Sequence, residues 1–109
     1  METYIAIKAL AALAQETRLT IFRVLVQAGE PGLPAGQLAK ELNIPNATLS
    51  FHLKDLSNAE LVIARQQSRF IYYSANFETM NALLGYLTEN CCAGISCGTV
   101  EVCCDEKNS

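Results

Sequence analysis

All five cysteines of this 109-residue chain lie in one short segment, ENCCAGISCGTVEVCC, which spans residues 89 to 104. Three of them, Cys91, Cys92 and Cys97, fall within seven residues, together with a glycine that allows the chain to curl back. Thiolates are soft ligands, and trivalent arsenic or antimony forms three pyramidal bonds to sulfur. The spacing therefore predicts a three-cysteine site for one As(III) or Sb(III) ion.

Other interpretations of the cysteines stay open. A zinc or nickel site with nitrogen ligands is poorly supported because His52 is the single histidine. A four-thiolate zinc site is disfavoured because adjacent cysteines lack the C-x-x-C spacing. An odd number of neighbouring thiols also fits a redox switch that forms mixed disulfides. Cys103 and Cys104 are compatible with a second site, ligand exchange with the first, a methylated arsenical or a passive tail.

The rest of the chain must position this segment, and its composition predicts one mainly helical domain. Half of the residues are apolar and Trp is absent. No apolar window reaches the roughly 18 residues of a membrane span, and no export signal opens the chain. We therefore expect a cytoplasmic protein, with reduced thiols and no membrane partner. The net charge of −3 does not exclude DNA binding, since residues 40–76 carry four basic and three acidic side chains.

The first 42 residues predict three helices. An Ala-rich stretch over residues 5–14 predicts the first helix, and ETRLTIFRVLVQAG predicts the second, ending at Gly29. Pro34 suits the first position of a short third helix, PAGQLAKEL. The apolar spacing of the second helix predicts that one face is buried, formed by Leu19, Phe22, Leu25 and Val26.

A helix-turn-helix is predicted between residues 38 and 56. One apolar stripe ends at Leu42 and another begins at Leu49, continuing through Leu53 and Leu56. Between them, Asn43 tolerates the left-handed conformation that ends a helix, and Pro45 can begin the next one. Two short helices joined by such a tight turn form a helix-turn-helix.

A wing and a last helix are predicted to follow. The stretch LVIARQQSRFIYYSAN has the pattern of a β-hairpin whose tip is formed by residues 66–68. Asn76 is then a candidate N-cap for a helix that continues past Cys91 and Cys92 and ends at Gly94. One face of that helix would carry Phe77, Met80, Leu83, Leu84 and Leu87. The fold class predicted is mainly α with a small β-hairpin, a winged helix-turn-helix.

A recognition helix must present small or hydrogen-bonding groups to the major groove of DNA. Asn46 is a candidate for contacting a base edge, and Phe51, if exposed, for contacting thymine methyl groups. Phosphate donors and wing contacts complete the predicted interface, namely Thr48, Ser50, His52, Lys54, Arg65 and Arg69. A helix-turn-helix is also a common packing unit, and the wing and the local basic charge together favour DNA binding.

Three segments, ALAQETRLTIFRVL, LSFHLKDLSNAELV and ARQQSRFIYY, resemble the ArsR/SmtB family of metal-responsive repressors, and the resemblance covers about residues 5 to 87. It implies a winged-helix homodimer formed through the first and last helices, which binds operator DNA and releases it on metal binding. Pro45 stands where many relatives carry a serine cap. Many relatives also have a cysteine pair before the recognition helix, which is absent here, whereas LTENCCAGISC resembles relatives with a C-terminal arsenite site.

We therefore expect a DNA-binding and dimerisation domain over residues 1–90 and a metalloid-binding tail over residues 91–109. The predicted function is a repressor induced by As(III) or Sb(III), with no organic cofactor and no enzymatic activity. Adjacent residues of a helix point about 100° apart, so Cys91 and Cys92 would bind one ion only if the last helical turn opened. The alternatives are a winged-helix regulator that senses redox state or another soft metal, and a metal carrier that does not bind DNA.

Overall fold

The computed structural model describes residues 1–91, which form helices and a small antiparallel sheet. This order of elements confirms the predicted mainly helical fold with a β-hairpin after the helix-turn-helix. The helices and strands, in chain order, are α1 (Thr3–Leu13), α2 (Glu16–Ala28), β1 (Leu33–Pro34), α3 (Ala35–Leu42), α4 (Asn46–Asn58), β2 (Val62–Gln67), β3 (Phe70–Ala75) and α5 (Phe77–Leu87). Within these residues no helix is long and apolar enough to cross a bilayer.

Local signals in the sequence set several of the helix ends. Gly29 ends α2 with a φ of 80°, and Asn43 ends α3 in the left-handed conformation with a φ of 57°, both as predicted. Asn76 caps α5 through its side chain, which accepts a 3.3 Å hydrogen bond from the Thr79 N–H. Pro45 is the N-cap of α4 rather than its first helical residue.

The sheet contains a short strand that the sequence did not predict. β1 pairs with β3, which lies between β1 and β2. Leu33 is opposite Tyr73 and Pro34 is opposite Tyr72, so Pro34 belongs to this strand. Pro34 is also the N-cap of α3 rather than its first helical residue. Gly32 makes the approach possible, because a Cβ at this position would clash with the carbonyl oxygen of Tyr73.

The hairpin turn lies further along the chain than predicted. Gln66 pairs with Ile71 and Gln67 pairs with Phe70, so these two glutamines belong to the paired part of β2 rather than to the tip. The turn consists of residues 68 and 69, and the first of them, Ser68, has a φ of 60°. A two-residue loop with positive φ matches the twist of paired strands, which is why the turn closes here.

The core is built on the predicted leucine stripe of α4. Leu49, Leu53 and Leu56 are buried, and they belong to one core cluster that contains apolar residues of every helix. The prediction for α2 is partly wrong: Leu19 is 44% exposed, and Ile21 is buried in its place. The helical phase that buries Phe22 and Leu25 turns Leu19 toward solvent.

α1 faces the core with its smallest side chains, Ala6, Ala9 and Ala12. Alanines let the helix axis approach its neighbours closely, and the larger side chains of α1 consequently point outward. Exposed on this helix are Tyr4, Ile5, Ile7 and Leu10.

α5 is shorter than predicted. It ends at Leu87, and a turn follows in which the Cys91 N–H donates to the Thr88 carbonyl oxygen at 3.0 Å. The predicted extension of the helix through Cys91 is therefore wrong. Asn90 has a φ of 58°, a conformation that an α-helix cannot continue through. The predicted end at Gly94 lies outside the described residues, as does the tail domain predicted for residues 91–109 apart from its first residue.

The apolar face predicted for α5 is divided in the structure. Leu83 is buried, and Phe77 and Met80 are packed against the core, as predicted. Leu84 and Leu87 are 51% and 55% exposed. These two leucines lie on a second, exposed face of α5.

Candidate functional site

The solvent face of α4 carries most of the residues predicted to contact DNA. Because the leucine stripe fixes one side of the helix in the core, the opposite side is turned to solvent along its whole length. Phe51 is 65% exposed near the middle of this face. The exposed residues among those predicted are Asn46, Thr48, Ser50, Phe51 and Lys54.

His52 is placed differently from its neighbours. It is half-buried, and its Nδ1 is buried without a hydrogen-bond partner among residues 1–91. Only Nε2 is therefore left as a donor for a phosphate. The imidazole ring packs against Phe51 in an edge-to-face arrangement, with ring centroids 5.9 Å apart and an interplanar angle of 68°. His52 thus supports the side chain of Phe51.

Two further residues of the same face were not predicted from the sequence. Ala47 lies one turn before Phe51, and Asn58 lies one turn after Lys54, and both are exposed. Their spacing of four from the predicted residues is the signal that could have identified them, since positions i and i+4 share a helix face.

An ion pair connects the side of α4 to α2. Arg18 Nη1 donates to Asp55 Oδ2 at 3.2 Å, and Arg18 Nε donates to the Ala12 carbonyl oxygen at 2.7 Å. The Ala12 carbonyl belongs to the last turn of α1, where helical carbonyls lack intrahelical partners. One guanidinium therefore joins three helices and neutralises the acidic charge beside the solvent face of α4. No local pattern in the sequence indicates this contact.

The two predicted arginines of the wing differ in their surroundings. Both are exposed, but Arg65 Nη2 donates to the Pro31 carbonyl oxygen at 3.0 Å. Its guanidinium also lies 5.7 Å from the ring centroid of Tyr72, its partner across the hairpin. Arg69 is the second residue of the turn, at the far end of the hairpin. Arg65 thus contacts Tyr72 of the hairpin and Pro31 before β1, whereas Arg69 lies at the hairpin tip.

Of the predicted thiol ligands, only Cys91 is in the part of the chain that the structure describes. Its side chain is half-buried, and within residues 1–91 its thiol is free. Cys92, Cys97, Cys103 and Cys104 lie outside the described residues. Within residues 1–91 no group of three or more His, Cys, Asp or Glu side chains is arranged to hold a metal ion.

The end of α5 that precedes Cys91 is connected to the start of α1. The Tyr86 and Thr3 hydroxyls are 2.6 Å apart and share a hydrogen bond. Tyr86 lies in the last turn of α5 and also packs against the core. The segment that follows α5 is therefore connected to α1 through the last turn of α5.

Residues 13–64 match a family described as a helix-turn-helix domain. A curated relative, the arsenical resistance operon repressor of Bacillus subtilis, is 35% identical over 81 residues, which cover 74% of this chain and 73% of the relative.

Solved structures of similar proteins share the fold. An ArsR-like transcriptional regulator from Rhodococcus superposes with a TM-score of 0.69 at 26% identity, covering 84% of this chain and 82% of that one. A homodimeric winged helix-turn-helix DNA-binding domain from Mycobacterium bovis superposes with a TM-score of 0.63 at 27% identity, covering 79% and 80%. The second of these similar structures is a DNA-binding domain.

Proposed function

This chain belongs to the ArsR family of winged helix-turn-helix transcriptional regulators, and from that premise we propose that it is a homodimeric repressor induced by trivalent arsenic or antimony. As a DNA-binding regulator of this family it is not an enzyme. The specific proposal is that Cys91, Cys92 and Cys97 bind one As(III) or Sb(III) ion and that the protein then releases its operator.

The solvent face of α4 is the observation that carries the DNA-binding part of the proposal. Its exposed hydrogen-bonding side chains match the base edges of the major groove, and Lys54 adds a positive charge for a phosphate. Arg69, in the turn at the tip of the hairpin, supplies a second basic contact. The pairing of Asp55 with Arg18 removes an acidic charge that would otherwise repel the DNA backbone.

The exposed apolar surfaces of α1 and α5 support a dimer. Ile7 is 59% exposed and Leu84 is 51% exposed, on two helices that contact each other through Thr3 and Tyr86. Apolar surface of this kind on adjacent helices favours association with a second copy. The similar domain from Mycobacterium bovis is homodimeric, which supports dimerisation of this chain.

The cysteines support arsenic or antimony as the inducer. Three thiolates within seven residues suit the pyramidal coordination of these ions, and the similar repressor from Bacillus subtilis is named for arsenical resistance. When all three thiolates bind one ion, the segment after α5 is drawn into a compact loop. Because Cys91 lies beyond Leu87, no turn of α5 has to open for this to happen.

The connection from the ion to DNA runs through the dimer. Cys91 follows the exposed Leu84 and Leu87 closely, so the loop formed around the ion adjoins the proposed dimer surface. A change there alters the distance or angle between the two copies of α4, which must match two successive major grooves. Operator affinity falls as a result.

A titration of one protein–DNA complex with three agents tests the proposal. The complex is formed with the DNA upstream of its own gene, and arsenite, zinc chloride or hydrogen peroxide is added while binding is followed by gel shift. Release by arsenite alone is the expected result. Release by peroxide alone would instead establish a redox switch, and release by zinc would establish a sensor of another metal. Failure to bind any DNA would favour a metal carrier.

A further inference from the structure

Phe51 is the one large apolar side chain that α4 exposes, whereas the leucines of the stripe are in the core. At 65% exposure, most of the ring is in contact with water. Covering an exposed aromatic ring with a partner removes apolar surface from water and is therefore favourable. The exposed position at the centre of a proposed recognition helix indicates that this partner is part of the DNA.

The ring of Phe51 has one aromatic neighbour on α4 before any DNA binds. The edge-to-face packing with His52, at 5.9 Å between centroids, restricts its rotation. Ala47 lies one helical turn away and is exposed as well. We call Ala47 and Phe51 the apolar patch of α4. A preorganised patch loses little side-chain entropy when it binds.

The surroundings of the apolar patch match a polyanion. Ser50 and Lys54 are exposed beside it and can donate to phosphates, and the carboxylate of Asp55 is paired with Arg18. The apolar patch is thus surrounded by groups that favour DNA. In the major groove, the apolar group that a base pair presents is the C5-methyl of thymine.

We propose that Phe51, together with Ala47, recognises thymine methyl groups in each half-site of the operator and is a specificity determinant of this protein. This inference rests on the proposed function, because it requires α4 to enter the major groove. It assigns sequence preference to apolar packing at the centre of the helix, in addition to the hydrogen bonds available from Asn46.

The test compares one duplex in two chemical forms. A binding sequence is first selected by the protein from a randomised pool of duplexes, each about three turns of B-DNA long so that two half-sites fit. The same sequence is then made with thymine or with uracil at one enriched thymine position, either in one half-site or in both. Uracil differs from thymine only by lacking the methyl group. Removal of one buried methyl group should weaken binding about fourfold, and removal of one in each half-site about fifteenfold.

The variant Phe51→Ala completes the comparison. It should bind the thymine and uracil duplexes with nearly equal affinity. The ratio of thymine-duplex to uracil-duplex affinity is compared between the wild type and this variant, which separates the role of Phe51 from any effect of uracil on DNA shape. Leu19→Ala is the matched control, since Leu19 is 44% exposed on α2, and it should keep the wild-type ratio. Phe51→Leu retains an apolar side chain and should keep part of the ratio, which provides a measurement if the alanine variant binds too weakly.

Three results would overturn the inference. The first is equal binding of the wild type to the thymine and uracil duplexes, and the second is a Phe51→Ala ratio as large as that of the wild type. The third is a selected sequence without enriched thymines. Failure to select any sequence from the pool is a different outcome, because it would overturn the proposed function as well.

Discussion

Arg18 and Asp55, which are 37 positions apart in the chain, form an ion pair with 3.2 Å between Nη1 and Oδ2. Arg18 also donates to the last turn of α1 through Nε, so its side chain joins α1, α2 and α4. The side chain of Arg18 is 18% exposed and that of Asp55 42%, so the pair lies at the edge of the core. Its position makes the orientation of the recognition helix depend on the end of α1.

Arg18→Ala should lower the free energy of unfolding by about 1–2 kcal/mol, because it removes two hydrogen bonds, one of which is also a partly screened ion pair. It should also weaken DNA binding, since the unpaired Asp55 carboxylate then lies beside the phosphates. Urea unfolding and gel shift measure the two effects.

Arg23→Ala is the control for this change, because Arg23 is exposed on the same helix and forms no ion pair within residues 1–91. The double variant Arg18→Ala, Asp55→Ala should recover part of the DNA affinity, because the unpaired negative charge is gone. Equal DNA affinity for the Arg18 and Arg23 variants would contradict the role assigned to the ion pair.

Gly32→Ala should destabilise the fold by about 3 kcal/mol, because a methyl group would clash with the Tyr73 carbonyl oxygen in a backbone conformation with a φ of 72°. Gly36→Ala provides the comparison, since nothing lies within 4 Å of the added methyl group. That control lies in α3, where alanine is the better helix former, and should be neutral or stabilising by about 0.5 kcal/mol. Thermal unfolding followed by circular dichroism measures both variants, and similar melting temperatures would contradict the close approach of β1 to β3.

Lys54→Ala and Arg69→Ala should each weaken binding to all DNA sequences and reduce the salt dependence of the binding constant, by about one unit of slope for each phosphate that the variant can no longer neutralise. Asn46→Ala should leave that slope unchanged and reduce the preference for the operator over other DNA by about 1 kcal/mol or more. Fluorescence anisotropy at a series of salt concentrations separates the two classes. An unchanged slope for both basic variants would show that the interface lies elsewhere.

Leu84→Asp should convert the protein from a dimer to a monomer at micromolar concentration, because it places a charge in the proposed interface of α1 and α5. Leu84 is 51% exposed in the single copy, so the substitution should leave the fold intact. Leu19→Asp introduces the same charge at a residue of similar exposure on α2 and should remain dimeric. Sedimentation velocity distinguishes these states, and a monomeric wild type would disprove the dimer directly.

Changing Cys91, Cys92 or Cys97 to Ser should preserve DNA binding and abolish its release by arsenite. The double change of Cys103 and Cys104 to Ser should leave release nearly normal, which makes it the matched control. Thiols must lose their protons to bind the ion, so the apparent affinity for arsenite should fall as the pH is lowered. Gel shift with arsenite at two pH values measures all of these effects. A double variant that no longer responds, with a Cys91 variant that does, would contradict the proposed site.

Features that depend on neighbouring residues could be predicted from the amino-acid sequence. The leucine stripe of α4 has the period of a helix, so its burial followed from spacing alone. Asn43, Gly29 and Asn76 end or begin helices because their own conformational and hydrogen-bonding preferences require no distant partner. The exposure of five candidate DNA contacts on α4 followed from the same periodicity, namely Asn46, Thr48, Ser50, Phe51 and Lys54.

Features that depend on distant residues became evident only once the helices and strands were packed together. The strand β1 exists because Gly32 allows the chain to lie against Tyr73, and two residues carry no recognisable strand pattern. The ion pair of Arg18 with Asp55 required α2 and α4 to be packed side by side. α1 turned its alanines inward because close helix packing, rather than the hydrophobicity of single residues, selected its buried face. Contacts of this kind form between surfaces whose relative orientation is not encoded in any local stretch of sequence.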